Sequence, residues 1–195
     1  MRRVAVTGIL GNLGWKLTRH LAALGYPSVV GLEARPPAPG QLEAMRGHAQ
    51  DQPDGPTQIE VVECDLLDWH DARWRRVLEQ VDAVVHFAAQ NPYPEATWDE
   101  SNASFDMTLN LAHAAADAGV DRLVFATSNH VMGRYKDPPL SDAVDPGQLH
   151  TDLETGVGTL WHTGEQAMDS TVYAVAKNAG ERLCRREAGC CRRYL

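Results

Sequence analysis

Long apolar runs are missing from this 195-residue chain, and no stretch reaches the roughly 20 apolar residues that a membrane-spanning helix needs. The opening Met1-Arg2-Arg3-Val4 leads into a short apolar run that ends in glycines, without the longer core of a signal peptide. A cytoplasmic protein that does not bind membranes is therefore expected. Cysteine is scarce too: the four residues, at 64, 184, 190 and 191, show neither Cys-x-x-Cys spacing nor paired histidines. That argues against a zinc site or a disulfide framework, and reduced thiols and no metal are expected. Basic charge is outweighed, with 18 Lys and Arg against 26 Asp and Glu and a net charge of −8, so a nucleic-acid or anionic-membrane surface is not expected. Arg182, Arg185, Arg186, Arg192 and Arg193 form a local exception, read as a solvated helix face and tail with an anion-binding patch as the alternative. What remains, 44% hydrophobic and 23% charged, is the composition of an ordinary globular domain, here taken as one domain over residues 1–195.

The segment Val4 to Gly14 organises that domain. Val4, Ala5 and Val6 suit a buried strand, whereas Leu13, Leu17, Leu21 and Leu24 recur at helical spacing. Gly8, Gly11 and Gly14 sit where strand becomes helix, with Asn12 and Leu13 between them. In such a turn the first glycine allows a tight bend, the second lets amides approach a pyrophosphate, and the third lets helix pack on strand. Pro27 to Glu33 reads as a second strand ending in a carboxylate about 20 residues beyond the glycines, where an acid meets the adenosine ribose. Its charge repels a 2′-phosphate, so Glu33 favours NAD over NADP.

Further along, Ala34 to Thr57 is a surface connection with one short helix near Gln41 to His48, and Ile59 to Cys64 is a third strand. Of the acids that follow, Asp65 is the better ligand candidate, beside Leu66, and Asp68 the better helix cap. Ala83 to Ala89 is almost continuously apolar, as a central parallel strand should be; His86 within it reads as a core residue, and Ala88 and Ala89 are small enough for close cofactor approach. A long helix runs to about Gly119, Leu123 to Thr127 is a fifth strand, and Asp137 to Glu165 is a polar stretch suspected of being a functional loop. A last helix spans about Asp169 to Arg186. Strands alternating with helices imply an α/β fold with a doubly wound parallel sheet, a Rossmann fold.

Tyr173 and Lys177 lie four apart and share a helix face. A phenol titrates near 10, so poising it near 7 takes about 4 kcal/mol of phenolate stabilisation, which a neighbouring ammonium and an oxidised nicotinamide can supply. Ser128 stands at the C-terminal end of the fifth strand, where α/β sheets bind ligands, and can hydrogen-bond a substrate oxygen while Tyr173 moves the proton. Asn129 and His130 beside it are substrate candidates; His162, Asp152 and Glu154 are weaker ones, more often solvated.

With Thr7, Gly8, Gly11, Gly14, Glu33, Asp65-Leu66, His86 to Ala89, Ser128, Tyr173 and Lys177 in this order, the chain resembles the extended short-chain dehydrogenase/reductase family of NAD-dependent epimerases and dehydratases. The run Ser128 to Gly133 is similar to the uronate dehydrogenase branch. The resemblance implies NAD on the first five strands, Ser128 and Tyr173 as catalytic pair, and Lys177 on the nicotinamide ribose, acting on a sugar, sugar acid or nucleotide sugar. It also suggests a homodimer through the two long helices. Ser104 stands where the family usually has an asparagine, with Asn102 just before. The family continues into a sixth strand and a C-terminal substrate domain, and the end at Leu195 reads as a truncation that removes them. A dinucleotide-binding module without catalysis, or an inactive remnant, is the alternative to an enzyme.

Overall fold

The first strand, β1 (Arg3–Thr7), carries Val4, Ala5 and Val6, all buried in the computed structural model of the chain. The structure describes residues 3–46, 55–89, 97–142, 144–145 and 147–190. Arg192, Arg193 and Cys191 lie outside them, as do the prolines between Asn91 and Trp98, and the side chain of His162 is likewise not described.

The helix α1 (Asn12–Ala23) follows β1, then β2 (Ser28–Glu33), α2 (Gln41–Arg46), β3 (Gln58–Glu63), α3 (Ala72–Leu78), β4 (Ala83–His86), α4 (Trp98–Asp117) and β5 (Arg122–Phe125). The five strands are parallel in the order β3-β2-β1-β4-β5, with Ala5 beside Val30 and Val84. Successive strand residues point to opposite faces, and here both faces are covered. Ala5, Val30 and Val84 pack with Trp74 and Leu78 of α3 and Leu111 and Ala115 of α4, whereas Val4, Val6 and Val29 pack with Ile9, Leu21 and Met45. Gly31 in β2 is pressed against Ile9: a Cβ at position 31 would lie 2.3 Å from the Ile9 side chain, itself fully buried.

The chain divides into two compact units, Met1–Ala89 with Met107–Ala126 and Cys184–Leu195, and Gln90–Asp106 with Thr127–Leu183. In the second unit, Ser128 opens a 3-10 segment, Asn129–Lys136, and a two-stranded antiparallel ribbon, β6 (Leu160–Thr163) and β7 (Gln166–Asp169), precedes α5 (Thr171–Cys190).

Two expectations need correction. The stretch from Asp137 to Glu165 is not wholly loop, because Leu160–Thr163 is β6, which turns through Gly164 at φ 64° into β7. And the cap of α3 is Asp71 rather than Asp68. The Asp71 Oδ1 accepts the Arg73 N–H at 2.9 Å, whereas the Asp68 carboxylate is taken by the His70 N–H in a preceding turn. No helix among the described residues is long and apolar enough to cross a membrane.

Candidate functional site

The strand order of the first unit reverses between β1 and β4, the place in an open α/β sheet where a crevice forms at the strand ends. The glycine loop leaves β1 there. Gly8 adopts φ 66°, open to glycine at little cost, and its N–H donates to the Leu32 carbonyl at 2.9 Å. Gly11 donates to the Gly8 carbonyl at 3.0 Å and is the N-cap of α1. A Cβ on Gly14 would stand 2.3 Å from the Gly8 carbonyl oxygen, so only glycine lets helix and loop meet this closely. No side chain caps α1 and no acid occupies its first turn. The amide end of the helix, at Asn12 and Leu13, thus keeps its partial positive charge for an anion.

Glu33, at the end of β2, reaches back to this loop: its Oε2 accepts the Leu10 N–H at 3.0 Å and its Oε1 the Ala34 N–H at 3.2 Å. The carboxylate is thereby tied to the glycine loop. At the end of β3, Asp65 is exposed; its Oδ1 accepts the Leu67 N–H at 2.9 Å, and its own N–H donates to Asp71 Oδ2 at 3.0 Å. Leu66 is buried, its carbonyl held by Asn110 Nδ2 at 2.8 Å. Asp71 anchors this turn: the Arg73 guanidinium at 2.8 and 2.9 Å, with the two backbone N–H groups, holds its carboxyl far below the ordinary carboxylate value against the opposing effect of burial. Cys64 nearby is buried, which pushes its thiol up to about 11 and leaves it inert.

Thr7 is the joint between β1 and β4. Its fully buried Oγ1 accepts the Phe87 N–H at 3.1 Å and the Ala88 N–H at 3.0 Å, and lies 2.7 Å from His86 Nδ1. Both amides can only donate, so the hydroxyl proton goes to Nδ1 and the imidazole carries its own proton on Nε2, 3.1 Å from Thr108 Oγ1. His86, buried and stacked on Phe125 at 5.9 Å, is the core residue its surroundings suggested. Ala88, so held, comes within 3.1 Å of where a Gly8 Cβ would be, and Ala88 and Ala89 are half-buried.

In the second unit, Tyr173 on α5 is half-buried, with the Ser128 hydroxyl near enough to favour its phenolate. Burial raises the phenol above its ordinary value, and the Ser128 hydroxyl opposes this. In the free chain desolvation outweighs the stabilising contact. Lys177 is buried at 4% exposure, its Nζ 5.9 Å from the Tyr173 ring centre. His130 completes the group: its N–H donates to Ser128 Oγ at 3.2 Å, and its ring meets Tyr173 edge to face at 5.8 Å. Burial and the charge of Lys136 lower its pKa, so it is neutral at neutral pH. Asn129 beside it is exposed, as are Asp152 and Glu154, and Ser104 is buried in α4.

Residues 4–191 match the NAD dependent epimerase/dehydratase family. The chain belongs to that family. Its relatives include an L-arabinose 1-dehydrogenase (NAD(P)(+)) of Haloferax volcanii, 32% identical over 94% of this chain and 60% of the relative. A uronate dehydrogenase of Pseudomonas putida is 32% identical over 74% of this chain and 47% of the relative. Among solved structures, the UDP-glucose 4-epimerase of Bifidobacterium longum, in complex with NAD+ and UDP, superposes with a TM-score of 0.72 at 20% identity, over 97% of this chain and 50% of that one. The chain thus spans about half the length of the relatives it matches.

Within this epimerase/dehydratase fold, the glycine loop, uncapped α1 and Glu33 fit the pyrophosphate and ribose of a dinucleotide. Two structural roles escaped the sequence reading. Thr7 gave no signal beyond a hydroxyl in an apolar strand. Ser170 could have been noticed as the polar residue just before a helix, the usual place of a cap, but its bond to His130 spans 40 positions.

Proposed function

We propose that the chain is the coenzyme-binding and acid–base portion of an oxidoreductase that moves hydride between a carbinol carbon of a sugar, sugar acid or nucleotide sugar and a nicotinamide. The observation that carries this reading is the grouping of Ser128 and half-buried Tyr173 about His130, with buried Lys177 on the same helix 5.9 Å from the Tyr173 ring. NAD, when bound, accepts or returns the hydride. Ser128 orients the substrate oxygen, Tyr173 takes the hydroxyl proton as the carbon becomes a carbonyl, and Lys177 holds the ribose and favours the phenolate. Asn129 and His130 would contact the substrate. Glu33 supports NAD over NADP, since a 2′-phosphate would face a carboxylate already turned toward the loop.

The test is Tyr173→Phe, assayed by NADH absorbance and by product analysis with a panel of sugars, sugar acids and nucleotide sugars. Turnover is expected to fall by about 100-fold or more, with NAD affinity unchanged by calorimetry. Loss of both together would refute the assigned role, and NAD binding by the wild type with no turnover of any member would leave a binding module instead. A cytoplasmic location and a homodimer through α4 and α5, whose Val175 is 38% exposed, belong to the same proposal. Cell fractionation checks the first, and light scattering giving a monomer refutes the second.

A further inference from the structure

His130 touches both Ser128 and Tyr173, the first through its backbone and the second through its ring, so what fixes that ring bears on where Tyr173 stands beside Ser128. Its Nδ1 lies 2.8 Å from the hydroxyl of Ser170, which is 1% exposed. We propose that Ser170 is a positioning residue: its buried hydroxyl holds the His130 imidazole in the form protonated at Nε2, and through that ring sets Tyr173 against Ser128.

The proton assignment follows from the neighbours. Ser170 Oγ accepts the Thr159 N–H at 3.0 Å, and its own proton has two candidate acceptors, His130 Nδ1 at 2.8 Å and the Thr159 carbonyl at 3.4 Å. The second is at the limit of a hydrogen bond and much the longer of the two. The proton therefore goes to Nδ1, and the neutral imidazole carries hydrogen on Nε2.

The surroundings make this arrangement rigid. The Gly158 N–H donates to the His130 carbonyl at 2.9 Å, and the Arg134 N–H to the Gly156 carbonyl at 2.8 Å. A Cβ on Gly133 would lie 2.6 Å from the Gly158 carbonyl oxygen, so the 3-10 segment and the base of the ribbon are in direct backbone contact. The Ser170 carbonyl accepts the Ala174 N–H at 2.9 Å in the first turn of α5. One residue thus grips the His130 ring and the start of the helix that carries Tyr173, which is how a supporting shell holds acid–base groups in register.

This inference rests on the catalytic reading of Tyr173 and Ser128, and its experiment separates the two. With 15N-labelled histidine, the His130 signals, assigned by their loss in His130→Asn, should show an unprotonated Nδ1 and a protonated Nε2 in the wild type. In Ser170→Ala that pattern should change toward a mixture of forms, with kcat down about 10- to 100-fold and the NAD Kd unchanged. A wild-type spectrum with hydrogen on Nδ1 overturns the proposal, as does a Ser170→Ala protein with the His130 signals and kcat both within about twofold of wild type. If Ser170→Ala does not fold, the wild-type spectrum decides. If the wild type turns over no substrate, the catalytic reading fails while the spectrum still reports on the grip of Ser170.

Discussion

Replacing Thr7 by valine keeps the shape of a fully buried side chain and removes only its oxygen. Three groups lose their partner: the Phe87 N–H, the Ala88 N–H and His86 Nδ1. A buried polar group left unsatisfied costs about 1–3 kcal/mol. Phe87 and Ala88 are half-buried, so water relieves part of their loss, and the imidazole can relieve its own by moving its proton. A total of about 3 kcal/mol follows. In a chain of this length each kcal/mol moves Tm by about 2–4 °C, so Thr7→Val should melt about 6–12 °C lower. Urea titration should give the same loss in the midpoint with little change in slope. Thr7→Ser keeps the oxygen and should lose no more than about 1 kcal/mol, the methyl alone. If Thr7→Val lies within about 0.5 kcal/mol of wild type, or Thr7→Ser is as damaging as Thr7→Val, Thr7 does not hold β1 to β4 through its hydroxyl.

A Cβ at position 14 would meet the backbone of Gly8 and Ile9 at 2.3 and 2.6 Å, so Gly14→Ala should distort the loop and weaken NAD binding about 100-fold by calorimetry, the scale of a 1 Å misplacement; a loss under about threefold would contradict the cradle geometry. Asp71→Ala removes a cap and a charge-assisted pair whose arginine is largely exposed, and should cost about 2 kcal/mol in urea titration at pH 7. Because the folded carboxyl of Asp71 titrates below its unfolded value, this stabilisation is present above about pH 4 and fades as pH falls further, so the gap between Asp71→Ala and wild type should close in acid. Tyr173 has the opposite sign: its folded value is raised, so its contribution is present below about pH 10 and is lost as pH rises through the folded value. The ultraviolet difference between wild type and Tyr173→Phe should show this phenol titrating above 10 in the free protein and lower with NAD bound; titration near 7 without NAD would contradict the burial argument.

The alternating strands and helices were legible because parallel strands buried on both faces leave continuous apolar runs, and Ala83 to His86 is one. The glycine loop was legible because the spacing of Gly8, Gly11 and Gly14 reflects local sterics. Less visible were elements fixed by distant partners. The strands β6 and β7 are four residues each and too short to establish a period, so only Gly164 hinted at a turn. The α3 cap was misplaced because Asp65, Asp68 and Asp71 repeat every third residue, and only the folded turn, in which Asp71 accepts from both Arg73 and the Asp65 N–H, singles out the last. In the candidate site the pairing of Tyr173 with Lys177 was readable as helical spacing, whereas the poise of the phenol was not, since burial is a property of the folded chain.

The contact between Gly31 and Ile9 has a consequence for how such sequences can drift. The two positions, 22 apart along the chain, share one volume: a side chain at 31 would occupy the space that the isoleucine at 9 already fills. Neither can change size independently, so a homologue with alanine at 31 should carry a residue smaller than isoleucine at 9, and a homologue that keeps both large should have moved β2 away from the loop. Because Ile9 is the residue directly after Gly8, the glycine loop inherits this constraint, and its permitted sequences are set in part by a residue of the neighbouring strand.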